Sequence, residues 1–286
     1  MSSVAAATAT LSALTVDEGP TERPALKRSL RILTSLVIGL VCTTLLWWGF
    51  VTVIHANKLV TKTPIDVWRY LTSDADAAAH RAVIRTQLMI TLRDAMLGYV
   101  AGTIAAIVVS SVFVLRRGVE ATFMPLAMLL RSVPLVAMVP IITLVFGRSI
   151  LAVTIISGIV TFFPSLVNIT LGLRAAPRYA ADLVQAYGGS ELTVLRKVRL
   201  PFAMSWLFAS MRIAVPGAVI GALLAEWLAT GKGLGYQMLK AQSSFDYAGV
   251  WAAVAVLTFT SLILYALVGL VETPVFARFD PDRLIE

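Results

Sequence analysis

The amino-acid sequence predicts an all-α, polytopic membrane helix bundle with about six transmembrane helices. Hydrophobic residues make up 58% of the 286 residues and charged residues 14%, whereas soluble domains contain roughly 45–50% and 25%. The apolar residues fall in long uncharged runs, each close to the ~20 residues that a helix needs to cross the hydrocarbon layer. A single water-soluble core cannot bury this much apolar surface, so a membrane protein is predicted.

The first apolar run follows a polar N-terminal segment. Residues 1–31 begin with Ala, Ser and Thr and continue with acidic residues and Pro, which predicts a disordered cytoplasmic tail. Residues 32–54 carry no charged side chain and predict the first transmembrane helix. This run is too long for the apolar core of a signal peptide, so we expect it to be retained. Residues 55–85 are predicted to form an outer segment.

Five further spans are predicted within residues 86–273. Three of them are uncharged, and two are interrupted by an arginine. In chain order they cover residues 95–115, 121–146, 149–173, 201–226 and 247–271. Six spans in all is the central expectation, with five as the alternative, and residues 274–286 are predicted to form a cytoplasmic tail.

Basic residues next to the spans predict the orientation. They cluster at one side of the predicted bundle, at Arg28 and Arg31, Arg116 and Arg117, and Arg196 and Lys197. Because Lys and Arg are enriched in cytoplasmic loops, this side is predicted to be cytoplasmic, with both termini. The net charge of +8 therefore indicates membrane topology rather than nucleic-acid binding.

Residues 174–200 form a polar island between two apolar blocks, on the predicted cytoplasmic side. Residues 178–187 are predicted to form a short helix. Gly188 and Gly189 are predicted to end it, and Ser190 is a suitable N-cap for a second helix. The second helix leads to Pro201, which is tolerated in the first turn of the next span. The island predicts a docking surface for a soluble partner, and an ordinary loop between spans is the alternative.

The spacing of residues within the island resembles a motif of a known protein family. Asp182-Leu183-Val184 stands ahead of Gly188, and Val198-Arg199-Leu200-Pro201 follows after nine residues. This pattern resembles the cytoplasmic coupling loop of ABC transporter permeases, Glu-Ala-Ala, three residues, Gly, nine residues and Ile-x-Leu-Pro. The resemblance implies an ATPase-coupling role for seven residues: Asp182, Leu183, Ala186, Gly188, Val198, Leu200 and Pro201.

The resemblance extends over about residues 86–273 and is closest to the permeases for nitrate, sulfonates and taurine. It rests also on Arg131-Ser132-Val133-Pro134, Phe163-Pro164, and Glu226 followed by Gly233-Leu234-Gly235. Asp94 departs from it, because these permeases usually carry Arg there. The resemblance implies a type I ABC importer permease in the bacterial inner membrane, acting as a homodimer. It also implies two ATPase subunits that hold ATP and Mg²⁺, and an external substrate-binding protein.

Charged residues inside the predicted spans are candidates for a translocation pathway. A charged group at the bilayer centre costs about 2.5–3.5 kcal/mol or more, so it faces protein or water. Arg131, in a span interrupted by Pro134, would attract an anionic solute, and Glu226 would pair with Arg131 or act at an outer gate. A snorkelling side chain or a structural ion pair is the alternative for both, and Arg212 is predicted to be structural.

The sequence gives no sign of an enzyme. Gly231-Lys232 is followed by Gly233 rather than Ser or Thr, so no ATP-binding loop is predicted. His55 and His80 lack further residues at metal-ligand spacing, so no metal site and no cofactor of this chain are expected. We therefore predict the permease subunit of an ATP-driven importer for a small anionic or polar organic solute. A secondary transporter driven by an ion gradient, which an inverted repeat would indicate, is the alternative.

Overall fold

Helices account for nearly all of the two stretches that the computed structural model describes, residues 24–53 and 57–279. Their bounds, in chain order, are α1 (Pro24–Val53), α2 (Pro64–Thr72), α3 (Ala77–Leu115), α4 (Arg117–Ser132), α5 (Leu135–Phe146), α6 (Ile150–Arg174), α7 (Arg178–Ala186), α8 (Glu191–Val194), α9 (Leu200–Phe202), α10 (Met204–Ala225), α11 (Gly233–Ser243) and α12 (Tyr247–Phe279). Two π-helical turns, Leu195–Arg199 and Glu226–Thr230, precede α9 and follow α10.

The number of helices that can cross a membrane agrees with the sequence. Five stretches of described helix are long and apolar enough: Leu30–Val53, Ala77–Leu115, Ile150–Arg174, Met204–Thr230 and Tyr247–Glu272. The pair α4 and α5 passes the same test together, which raises the number to six if the pair counts as one span. The predicted all-α membrane bundle is therefore confirmed.

The span predicted over residues 121–146 is not one continuous helix. Helix α4 ends at Ser132, α5 begins at Leu135, and the two helices are bent by 101°. Val133 between them is extended, with φ −70° and ψ 127°, which is the conformation that a following proline favours. Pro134 thus breaks the helix, and this part of the bundle is a sharply bent pair of shorter helices.

Several helix ends also differ from the sequence prediction. Helix α1 begins at Pro24, so residues 24–31 are helical and are not part of a disordered tail. Helix α3 already begins at Ala77, inside the predicted outer segment, and α12 continues to Phe279, inside the predicted C-terminal tail. The remaining parts of both predicted tails, 1–23 and 280–286, lie outside the described residues.

Helices α3, α6 and α10 form the centre of the bundle, and small residues bring them together. A Cβ atom on Gly98 would overlap the Ser157 side chain, and one on Gly102 would overlap Thr161. The hydroxyl of Ser157 donates to the Ala218 carbonyl at 2.9 Å. Small residues and hydroxyl bonds of this kind are how membrane helices approach closely without a hydrophobic driving force between them.

The outer segment is fastened to the start of α12. The Tyr70 hydroxyl of α2 donates to Asp246 Oδ2 at 2.9 Å. Burial is the main reason why the pKa of Tyr70 is raised above its ordinary value, and the hydrogen bond to Asp246 raises it further. Thr63 and Asp66 form a capping box that begins α2. The Thr63 backbone N–H is the main reason why the pKa of Asp66 is lowered. Helix α2 is therefore a fixed part of the fold.

Candidate functional site: an exposed helix pair and a buried clasp

Helix α7 lies on the surface of the bundle, and none of its residues is buried. Three large side chains stand out from α7 and from the residue that follows it: Tyr179 is 75% exposed, Leu183 59% and Tyr187, the C-cap residue, 86%. Their spacing of four residues places them along one face of the helix. Contiguous apolar side chains that project in this way mark surfaces for partners. We call this row of three residues the α7 face.

The turn after α7 depends on glycine. Gly188 has a φ of +80°, a conformation that glycine adopts without the steric cost of a Cβ atom. Its N–H donates to the Gln185 carbonyl at 2.8 Å. Ser190 then caps α8, because its side chain accepts the Thr193 N–H at 3.3 Å. The helix, the break and the cap all lie where the sequence predicts them.

The second half of the island is fixed to the bundle. Leu195 is 4% exposed and belongs to a buried cluster with Leu173 of α6 and Phe113 of α3. The Arg199 guanidinium donates to the Val114 carbonyl, near the end of α3, at 3.3 Å. The island therefore joins the exposed helix α7 to a buried root, the part around Leu195 and Arg199 that packs against the ends of α3 and α6.

The two halves of the island are also bonded to each other. Gln185 Nε2 at the end of α7 donates to Glu191 Oε1 at 2.6 Å. The Glu191 carboxylate lies 3.7 Å from the Arg199 guanidinium. These contacts connect the exposed helix to the buried root without a long loop between them.

The predicted coupling residues fall into two groups in the structure. Four are exposed together on and after α7: Asp182, Leu183, Ala186 and Gly188. Val198 is 6% exposed and faces the interior, while Leu200 and Pro201 are half-buried. The first group is therefore available to a partner, and the second group holds the island on the bundle.

Arg131 and Pro134 lie at the bend between α4 and α5, and both are exposed. The Arg131 guanidinium has no ion-pair partner among the described side chains. Arg212, by contrast, forms an ion pair with Glu272 of α12, with 3.2 Å between Nε and Oε2. Arg212 thus has an acidic partner within the bundle, whereas Arg131 is a positive group left open at a helix break.

Glu226 is in a different environment, because it is fully buried. Its Oε2 accepts the Gly235 N–H at 2.7 Å. The two preceding N–H groups of α11 are also bound by side chains of α3: Gly233 donates to Gln87 Oε1 at 2.8 Å, and Leu234 donates to Thr91 Oγ1 at 2.8 Å. We call Gln87, Thr91 and Glu226 the outer clasp.

The outer clasp supplies hydrogen-bond acceptors to the first N–H groups of α11, as a local capping residue does in other helices. The first N–H groups of a helix have no partner within it, and the positive end of the helix dipole favours a nearby carboxylate. In this structure residues from α3 and from the turn after α10 supply the acceptors, so α11 is held against both. Asp94, to which the sequence assigns no role, lies on the same face of α3 as Thr91, buried and paired with Arg93 at 2.8 Å.

Replacing Gly233 by alanine is expected to weaken this arrangement. Gly233 has a φ of +90°, and a Cβ atom there would overlap the Glu226 carboxyl group. We expect a loss of about 2 kcal/mol or more, since a non-glycine residue at positive φ alone costs about 1–2 kcal/mol. Thermal unfolding of the purified chain in detergent measures the effect. Gly118→Ala is the matched control, because a Cβ atom there meets nothing within 4 Å, and equal melting temperatures for the two variants would contradict the clasp.

No group of three or more metal-ligating side chains occurs in the part of the chain that the structure describes. His80 instead stacks on Tyr70, with 3.9 Å between the ring centroids, and His55 lies outside the described residues.

The family model and the relatives that this chain matches are all described as membrane components of transport systems. Residues 98–276 match the family model described as the binding-protein-dependent transport system inner membrane component. The chain is 30% identical to a probable ABC transporter permease protein of Haemophilus influenzae, over 65% of this chain and 76% of the relative. It is also 30% identical to the formylaminopyrimidine transport permease protein of Halalkalibacterium halodurans, over 65% and 75%. Identity to the nitrate import permease protein of Leptolyngbya laminosa is 26%, over 69% of each chain.

Proposed function

The chain belongs to the family of binding-protein-dependent transport system inner membrane components, and from that premise we propose how it works. It is the membrane-spanning permease of an ABC importer. In our proposal it acts as a pair of identical subunits in the bacterial inner membrane. Each copy engages one ATPase subunit, and an external binding protein delivers the solute.

The observation that carries the proposal is the exposed α7 face on a buried root. Tyr179, Leu183 and Tyr187 offer an apolar patch that an ATPase subunit can cover, and Asp182 adds a charge beside it. Interface cores of this kind are enriched in aromatic residues. ATP and Mg²⁺ are held by the partner subunit, which performs the hydrolysis. This chain contributes the surface that receives the movement.

A route for the movement follows from the contacts of the island. The Arg199 bond to the Val114 carbonyl connects the island to α3. The ion pair of Arg174 and Glu120 connects the end of α6, where the island begins, to the start of α4. Displacement of α7 by an ATPase would therefore reach α3, α4 and α6 together. Helix α4 leads directly to the bend at Arg131.

The bend supports a pathway role for Arg131 and Pro134. Helices α4 and α5 carry many exposed apolar side chains, including Leu129, Leu144 and Val145. Lipid or a second copy of the chain is needed to cover them. A pathway between two copies would place the exposed Arg131 guanidinium where it concentrates anions in a narrow cavity of low dielectric. Glu226 contributes indirectly, by holding α11 through the outer clasp.

The substrate class follows from the same positive group and from the relatives. Relatives of this chain are named as permeases for nitrate, aliphatic sulfonates, formylaminopyrimidine and riboflavin. These solutes are small anions or polar heterocyclic compounds. We propose a solute of this kind for the present chain, and Arg131 favours an anion. The alternative of a transporter driven by an ion gradient has no support from the family.

Labelling of single cysteines tests the orientation on which this proposal depends. In a Cys42→Ser background, we expect Ser73→Cys and Gln242→Cys to react with an impermeant maleimide added to intact spheroplasts. All three chosen positions are exposed, including Ser190, so access depends on the side of the membrane. Ser190→Cys is expected to react only after permeabilisation. Reaction of Ser190→Cys in intact spheroplasts would place the island outside and remove the basis for ATPase docking.

A further inference from the structure

A cleft of about 340 Å³ lies between helices α1, α10 and α12. Its wall contains two arginine side chains, Arg31 of α1 and Arg212 of α10, among mainly apolar and small residues. Basic side chains gathered between membrane helices near the end of a span attract anionic groups. Two guanidinium groups in one cleft between membrane helices therefore point to an anionic ligand.

The two arginines lie near one end of the bundle. Ile32, next to Arg31, approaches Gly269 of α12, since a Cβ atom on Gly269 would lie 3.7 Å from Ile32 Cδ1. Arg212 is bound to Glu272, which lies three residues further along α12. Both guanidinium groups are thus level with the charged end of α12, where the long apolar run of that helix stops. Because an uncharged run of this length is enough to cross the hydrocarbon layer, we expect the lipid headgroups to begin near its end.

The charge of the cleft is not balanced by its own residues. Glu272 pairs with Arg212, whereas Arg31 is exposed and has no ion-pair partner among the described side chains. One positive charge among these three groups therefore remains for a ligand. A guanidinium group binds phosphate through two parallel hydrogen bonds, which makes arginine well suited to recognise it.

The rest of the wall favours the phosphate of a lipid over a free phosphate ion. Leu36, Gly39 and Leu262 continue the cleft away from the arginines with apolar surface. A free phosphate ion would leave this surface uncovered, whereas an acyl chain attached to the phosphate would cover it. Basic pockets between membrane helices bind anionic lipid headgroups in the same way.

We propose that this cleft binds an anionic phospholipid, with its phosphate at Arg31 and Arg212 and an acyl chain along Leu36 and Leu262. With the orientation proposed above, the lipid comes from the cytoplasmic leaflet. The bound lipid fastens α1 to α10 and α12. This site is separate from the island and from the bend at Arg131.

Two variants of α1 test the site without breaking the ion pair of Arg212. Arg31→Gln removes the open charge. Gly39→Phe fills the apolar part of the cleft, and a Cβ atom at Gly39 meets nothing within 4 Å, so the fold is expected to tolerate it. Gly49→Phe is the matched control, because Gly49 lies on the same helix, is equally unobstructed and does not line the cleft.

The full-length chain, purified in a neutral detergent, is titrated with phosphatidylglycerol or phosphatidylcholine that carries a fluorescent acyl chain. We expect preferential binding of phosphatidylglycerol, weakened about fivefold by Arg31→Gln, the change for one basic residue near an anionic surface. Gly39→Phe is expected to weaken it to a similar degree and Gly49→Phe to leave it unchanged. Equal binding of the two lipids, wild-type binding by both test variants, or displacement by excess inorganic phosphate would each overturn the proposal. This readout needs no ATPase, so its outcome is independent of the transport mechanism.

Discussion

Replacing Leu183 by aspartate is expected to weaken the association of the permease with its ATPase at least tenfold while leaving the fold intact. Leu183 is 59% exposed and lies in the middle of the α7 face, and α7 has no buried residues. The change therefore removes little internal packing. It would place a charge in the centre of the proposed interface and lose the burial of a leucine there. Since that burial is worth about 1.5–3 kcal/mol, we expect the affinity to fall at least tenfold.

Co-purification of the ATPase with tagged permease from membranes measures this effect, with uptake measured in the same cells. Leu59→Asp is the matched control, because Leu59 is 72% exposed on the outer segment and the change in charge is the same. We expect the control to retain the ATPase and to transport normally. If Leu183→Asp retains the ATPase as well as the control does, the island is an ordinary loop.

Replacing Arg131 by glutamine is expected to reduce uptake about tenfold or more at limiting solute, because a positive group in a low-dielectric cleft raises the local concentration of anions by such factors. Arg131→Lys keeps the charge and is expected to retain most of the uptake. The ATPase should still co-purify with both variants, since the bend lies away from the island. This combination separates a defect in the pathway from a defect in docking.

Arg148→Gln is the control for the loss of one positive charge near the same helices. Arg148 is exposed in the turn after α5, beyond the bend. We expect it to transport like the wild type at matched expression. Full uptake by Arg131→Gln would leave Arg131 a structural or lipid-facing residue, and the preference for an anionic solute would lose its basis.

Much of the fold can be predicted from the sequence because membrane helices are encoded locally. The uncharged runs of residues 149–173 and 247–271 correspond to α6 and to most of α12, since length and apolarity alone decide such spans. The turn at Gly188 was also predictable, because a paired glycine between two polar helical segments allows a positive φ. The helices of the island are short and capped by their own neighbours, so nearby residues specify them.

The bend between α4 and α5 could be predicted only in part. Pro134 indicates an interruption of the helix, but the angle of 101° depends on how α5 packs against α6. Val139 and Ile142 of α5 are buried in a cluster with α6 residues such as Ile156. These contacts join residues that are distant in sequence, so a scan for apolar length merges the two helices into one span.

The outer clasp could not be predicted from the sequence, because it too joins residues that are distant in the chain. Glu226 stands out in the sequence as a charge within a span, but its partners Gln87 and Thr91 are polar residues of ordinary type, more than a hundred residues earlier in the chain. Their role follows from the packing of α3 against the start of α11. The sequence signal that exists is the run Gly233-Leu234-Gly235, whose small residues allow the buried side chains to reach the backbone.

Cross-linking from the α7 face tests the central claim most directly. Tyr187 is 86% exposed, so Tyr187→Cys in a Cys42→Ser background presents one accessible thiol beside the proposed interface. Membranes that contain the permease and its ATPase are treated with a photoactivatable maleimide, with Leu59→Cys as the control on the outer segment. The expected result is a cross-link between position 187 and the ATPase subunit, and none from position 59. Failure of position 187 to cross-link to an ATPase that co-purifies with the permease would contradict docking at the island.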